Sequence, residues 1–146
     1  MSIRPNVSLA VAENYFAARL RSDAWDNADV LTKTKALNQA AFLISGAFIF
    51  NDAAYVVIDD TVIWDDRINA AVCEEAIWLL EKDPNEIPAS LFNGIVSASA
   101  GSVSATFDKS FIIPWICDIV KILIGDLGTF IVDNSEARVE TSLLAL

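Results

Sequence analysis

The chain has 146 residues, a formal charge of −10 and 54% hydrophobic residues. That is one domain's worth of chain, able to bury a core without disulfide or metal staples. The acidity argues against a duplex or single-strand binder that works by neutralising phosphates with clustered Lys and Arg, and the absence of histidine removes the commonest general base and metal ligand together.

In chain order, Val11, Tyr15, Phe16, Ala18 and Leu20 recur at helical spacing, which predicts a first helix from Ser8 or Leu9 to Arg21 with Ser8 as its N-cap. Val11 stands where a capping-box Glu would reciprocate. Ser22 to Asn27 reads as a turn-rich connector, with Trp25 as a plug into the core. The longest periodic stretch runs from Ala28 to Phe48. Val30, Leu37, Ala41, Ile44 and Phe48, with Leu31, Ala40, Leu43 and Ala47 beside them, form one broad apolar face opposite Thr32, Lys33, Lys35, Asn38 and Gln39. Asn27 or Asp29 is placed to cap it. At about 30 Å it is expected to be the central helix against which the others pack.

Residues 54–64 read as two β-rich runs around Asp59-Asp60, a hairpin with a tight turn. Asp65 and Asp66 then suit the start of a helix over Arg67 to Lys82, where carboxylates meet free N–H groups. In that helix Ile68, Ala71, Val72, Ala76, Leu79 and Leu80 give the apolar side. Glu74, Glu75 and Glu81 are read as a solvated face, Trp78 as core or interface, and Pro84 as the stop. From Gly94 to Phe107 the period becomes two, with Val103, Ala105 and Phe107 alternating with Ser102, Ser104 and Thr106 around Gly101, a second hairpin. Pro114 is expected to open a helix to Gly125, with Gly125 as its C-cap and a short strand over 128–132. Residues 133–146 are polar first and Leu-rich at the end, a tail that is either frayed or docked on a partner.

The segment 112–132 is apolar enough to suggest a membrane span, but Asp118, Lys121, Gly125, Asp126 and Gly128 interrupt it, so no membrane partner is expected. Cys73 and Cys117, 44 positions apart inside apolar helices, read as buried thiols. The aspartate pairs 59–60 and 65–66 raise the question of a hard cation, but no 12-residue loop pattern surrounds them. Glycines lack phosphate-loop spacing, no Ser–His–Asp set can be built without histidine, and nothing selects two of the twenty acids as a glycosidase pair. No enzyme, metal or cofactor is expected. MSIRPNVSL lacks the apolar core of a signal peptide. The fold class that follows is α+β, mostly helical: a four-helix core with two short β-hairpins and an extended C-terminal tail, divided as residues 1–134 and a tail over 135–146. The apolar surplus suits subunit interfaces.

Several pieces together resemble the head–tail connector or adaptor (head completion) family of tailed phages. They are Ser8 leading to Tyr15-Phe16-Ala17-Ala18-Arg19, then Trp25, then Lys33, Ala36, Leu37 and Ala40. After these come Val62-Ile63-Trp64, Glu75-Ala76-Ile77-Trp78-Leu79-Leu80, a late hairpin with Ser97, Gly101, Ser104, Thr106 and Phe107, and Pro114 before the last helix. The sequence departs from the family pattern at Val11, at Asp65-Asp66 and at Asn69. The resemblance implies a homo-oligomeric ring in the neck of the virion, made in the host cytoplasm. The ring would sit below the portal protein and extend the channel for genomic DNA, which passes without specific binding, and would meet the next neck or tail component. It further implies a portal-docking tail carrying Val139, Leu143, Leu144 and Leu146. A hairpin carrying Tyr55, Val57, Asp59, Asp60, Ile63 and Trp64 would reach a neighbouring subunit or the next ring. Some relatives carry a DnaT-like single-stranded-DNA-binding label, so a replication accessory protein is the alternative expectation, with a regulatory protein-binding module behind it. The −10 charge opposes DNA binding and suits a channel wall that does not hold DNA.

Overall fold

The computed structural model describes residues 4–82, 84–87 and 115–131. Helix α1 covers Leu9–Ala17, with the Ser8 hydroxyl accepting from the Val11 N–H at 3.2 Å. It stops a turn before Arg21, and past its end the Arg19 guanidinium donates to the Arg21 carbonyl and to Glu74. The connector then holds a single helical turn, α2 (Asp23–Asp26), which drives Trp25 into the core as expected. Its ring stacks on Phe16, centroids 4.4 Å apart, and its indole N–H donates to Glu13 at 3.3 Å. Lys33 completes this corner, bonded to Glu13 at 2.9 Å and lying 5.2 Å from the centre of the Trp25 ring.

Helix α3 (Val30–Ala47) is capped by Asp29, whose carboxylate accepts from the Thr32 N–H at 2.7 Å. Leu37, Ala40, Ala41, Leu43, Ile44 and Ala47 are buried as the periodicity requires. Val30 and Leu31, expected on the apolar side, are instead exposed, 62% and 63%. Phe48 leaves the helix: Phe48–Phe50 is strand β1.

The hairpin of residues 54–64 forms with the expected turn. Strands β2 (Tyr55–Ile58) and β3 (Thr61–Trp64) pair antiparallel, Tyr55 opposite Trp64 and Ile58 opposite Thr61. Asp59 and Asp60 have φ of 51° and 64°, the two left-handed residues that a two-residue hairpin of right-handed twist demands.

Helix α4 (Asp66–Leu80) starts under Asp65, whose carboxylate accepts from the Arg67 N–H at 2.9 Å, and a 3-10 turn follows at Pro84–Glu86. The last helix, α5, runs from Asp118 to Ile124 rather than from Pro114, a residue outside those described. Cys117 is extended (φ −71°, ψ 154°), so the helix cannot begin earlier. Gly125 is not a left-handed cap: at φ −55° it continues into a 3-10 turn, Gly125–Leu127. The glycine the fold requires is Gly128, where a Cβ would lie 2.0 Å from the Ile49 carbonyl oxygen. It opens strand β4 (Gly128–Phe130), which pairs antiparallel with β1, Phe48 opposite Phe130 and Ile49 opposite Thr129. Asn51 adds a side-chain bond to the Asp126 carbonyl at 3.1 Å.

The architecture is therefore α+β and mostly helical, with two small antiparallel sheets among the described residues. The second sheet described is not a hairpin but a long-range pairing that ties the end of α3 to the turn after α5. The hairpin expected at 94–107 lies outside the described residues. The pivot is also different from the expected one. Helices α1, α2, α3 and α5 all pack on α4, which makes α4 the centre and α3 its largest neighbour.

Candidate functional site

Two features of this fold can carry function: a bare hairpin arm and a buried polar core on α4. Trp64 and Tyr55, at the base of the arm, face one another with centroids 5.1 Å apart, and Trp64 meets Phe50 at 4.9 Å. These aromatic contacts, with the Asp65 N–H donated to the Ala54 carbonyl at 2.8 Å, root the arm on its own chain. Tyr55 and Trp64 are thus half-buried anchors, while Val57, Asp59, Asp60 and Ile63 point into solvent. Val56 and Ile58, which sequence reasoning did not single out, join them: Val56, Val57, Ile58 and Ile63 are 47–59% exposed.

Alternation along β2 and β3 puts Val56, Ile58 and Ile63 on one face and Val57 and Val62 on the other. A two-stranded ribbon in water normally hides at least one of its faces against the core. Here Val56, Ile58 and Ile63 are exposed on one face and Val57 on the other, beside a half-buried Val62, which is the pattern of a surface completed by another molecule. The tail residues Val139, Leu143, Leu144 and Leu146 lie outside the described residues.

The polar core corrects the reading of Glu74 and Glu75 as a solvated face: both are buried. Glu74 takes a forked pair of bonds from Arg19, Nε to Oε2 at 2.9 Å and Nη2 to Oε1 at 3.1 Å, and accepts a third from the Tyr15 hydroxyl. The fork fixes α1 to α4 and supplies the cation that a buried carboxylate needs. Burial and the adjacent carboxylate raise the Tyr15 hydroxyl well above its ordinary pKa.

Glu75 is 0% exposed. Its Oε1 accepts from the Cys117 N–H at 2.9 Å, stitching the first turn of α5 to α4, and its Oε2 has no partner among the described residues. Burial pushes its pKa up to about 7, opposed by the smaller pull of the Cys117 N–H and thiol and the Lys121 charge. The missed signal was in the sequence. From Ile68 to Leu80 only Asn69 and the two glutamates interrupt an apolar run, and a helix apolar all round is enclosed on every side.

Beside this core lies an open cleft of about 240 Å³, lined in part by Arg19, Glu74, Trp78, Glu81, Cys117 and Asp118. It holds no poised nucleophile. Burial raises the thiols of Cys117 and Cys73 to about 12, so both stay protonated and unreactive at neutral pH. Trp78 lies against Trp115, with the Lys82 ammonium 4.4 Å from its ring centre, so it is held within its own chain. Among the described residues no three Cys, Asp or Glu side chains converge to hold a metal ion, and no helix is long and apolar enough to cross a membrane. No family model, curated protein or solved structure matches the chain.

Proposed function

We propose that this chain is a structural assembly subunit: a head–tail adaptor of a tailed phage that self-associates as a ring below the portal, extends the DNA channel and presents a surface to the next neck or tail component. The observation that supports the reading best is the β2–β3 arm, rooted by Tyr55, Trp64 and Phe50 yet carrying exposed Val56, Val57, Ile58 and Ile63. Beyond its anchors Tyr55 and Trp64, which pack against the core, the arm's exposed aliphatic side chains gain by burial against a neighbour. Four half-exposed aliphatic side chains of this kind contribute about 1 kcal/mol each when covered. The order of motifs from Ser8 to Pro114 supplies the phage context. The acidic character suits a lumen that DNA must leave freely.

In this role the tail over 135–146, with Val139, Leu143, Leu144 and Leu146, docks on the portal. The arm, through Val57 and Ile63, meets the adjacent subunit or ring. Val57→Glu and Ile63→Glu, tested separately by native mass spectrometry and by incorporation into necks, are expected to abolish assembly while leaving the monomer folded. Unchanged assembly by both would refute the role of the arm. Deleting residues 135–146 is expected to abolish portal binding in a pull-down with purified portal, and undiminished binding would remove the tail from the scheme.

A further inference from the structure

The proposed ring leaves open what the arm docks on, and the shape of the monomer narrows the choice to a surface of the next copy. We propose that the β2–β3 arm of one subunit seats on the first two turns of α3 of its neighbour, against Val30, Leu31 and Lys35, in a head-to-tail contact. This inference rests on the ring reading above.

The receiving surface is bare for no internal reason. Val30 and Leu31 are exposed although the rest of the apolar face of α3 is buried. Helical spacing places them beside Thr34, Lys35 and Asn38 on one side of the helix, away from α4. Charge selects the same place. Asp59 and Asp60 at the tip of the arm have no ion-pair partner among the described residues. Lys35 is the described cation with neither a carboxylate within 4 Å nor an aromatic ring beneath it. The other described Lys and Arg side chains each face one or the other. Asp29, nearby, has its carboxylate bonded to the Thr32 N–H, and the Lys35 charge acts on it from beyond ion-pair distance as the smallest of the influences there. The other exposed aliphatic pair on a helix, Ile119 and Ile122 of α5, has its one cation, Lys121, already paired with Asp118 at 3.6 Å and a second carboxylate, Asp126, nearby, so it offers an acidic tip no free charge.

Geometry requires a second molecule. Eighteen residues make α3 about 27 Å long. The arm is rooted by Phe50, just past the C-terminal end of α3, and its four-residue strands reach about 13 Å. The tip cannot fold back onto the first turn of its own α3. Donor and acceptor are different surfaces, so the contact can repeat head to tail, whereas reciprocal exchange of arms about a two-fold axis would stop at two copies and give no ladder. Repetition of a heterologous contact gives a ring when the rotation closes.

The test uses the full-length chain with Asn38→Cys on the receiving face and Thr61→Cys beside the tip, both exposed positions, oxidised at about millimolar concentration. Native Cys73 and Cys117 are buried and stay out of the reaction. The double variant is expected to give a ladder of dimers, trimers and higher species. The two single variants mixed together are expected to give a heterodimer and nothing larger. Adding Leu31→Glu or Ile63→Glu is expected to reduce cross-linking at least tenfold, with the circular-dichroism spectrum unchanged. Absence of a ladder, or a ladder that survives Leu31→Glu, would overturn the head-to-tail contact. The ring reading would then be decided separately, by the copy number of the chain in virions.

Discussion

Replacing Glu75 by Gln separates the cost of a buried charge from the shape of the side chain that carries it. The carboxyl is enclosed on α4 with one oxygen bonded to the Cys117 N–H and the other without a partner among the described residues. The cation acting on it from α5, Lys121, is also bonded to Asp118, and the carboxylate of Glu74 lies one residue away on α4. The pKa is raised from 4.5 to about 7 in the folded chain, chiefly by burial. Below about pH 4.5 folded and unfolded chains both carry the acid form. Between there and about pH 7 the folded chain keeps a proton that the unfolded chain has released, so this group's contribution falls as pH rises and levels off above the folded pKa. The whole gap corresponds to about 3 kcal/mol. Glu75→Gln resembles the protonated acid at every pH. Its stability relative to the parent is therefore expected to rise with pH: within about 1 kcal/mol at pH 5, and about 2–3 kcal/mol more stable at pH 8, with Tm higher by roughly 8 °C. Urea unfolding of both proteins from pH 5 to 8 reads the difference directly. Glu13, Asp29 and Asp65, whose hydrogen bonds lower their pKa values, are present in both chains and cancel. A difference that is flat with pH, or that shrinks as pH rises, would refute the reasoning.

Other outcomes follow from the same contacts. Arg19→Met leaves Glu74 buried without its cation and is expected to cost about 3 kcal/mol in urea unfolding. Glu74→Gln, which leaves a partly exposed Arg19 able to reach water, is expected to cost about half as much. Gly128→Ala forces a methyl group into the Ile49 carbonyl and is expected to cost several kcal/mol, with the β1–β4 amides losing their hydrogen-exchange protection first. Cys73 and Cys117 are expected to resist a thiol reagent at pH 8 in the native chain and to react together on unfolding. Rapid native labelling would contradict their enclosure.

The local devices were legible because neighbouring residues decide them. Asp59-Asp60 between β-rich runs gave the hairpin, Ser8 and Asp29 gave their caps, and Trp25 among turn residues filled the core as a bulky aromatic at a connector tends to do. What escaped was set at a distance. Phe48–Phe50 continues the apolar pattern of α3, and only its pairing with Gly128–Phe130 turns it into a strand. Glu74 and Glu75 carry the residue type most at home in water, and their burial depends on Arg19, Tyr15 and Cys117, which come from other parts of the chain. For the same reason α4, not the longer α3, became the pivot. The arm was legible as a hairpin, but not which of its residues are anchors and which are bare. That division follows from where Phe50 sits.

The most direct measurement is the copy number of this chain in purified phage particles, by quantitative mass spectrometry against the portal protein. A number equal to that of the portal, or a simple multiple of it, is the expected result for a ring at the neck. Absence from the particle would contradict the adaptor role, whatever the purified chain does alone.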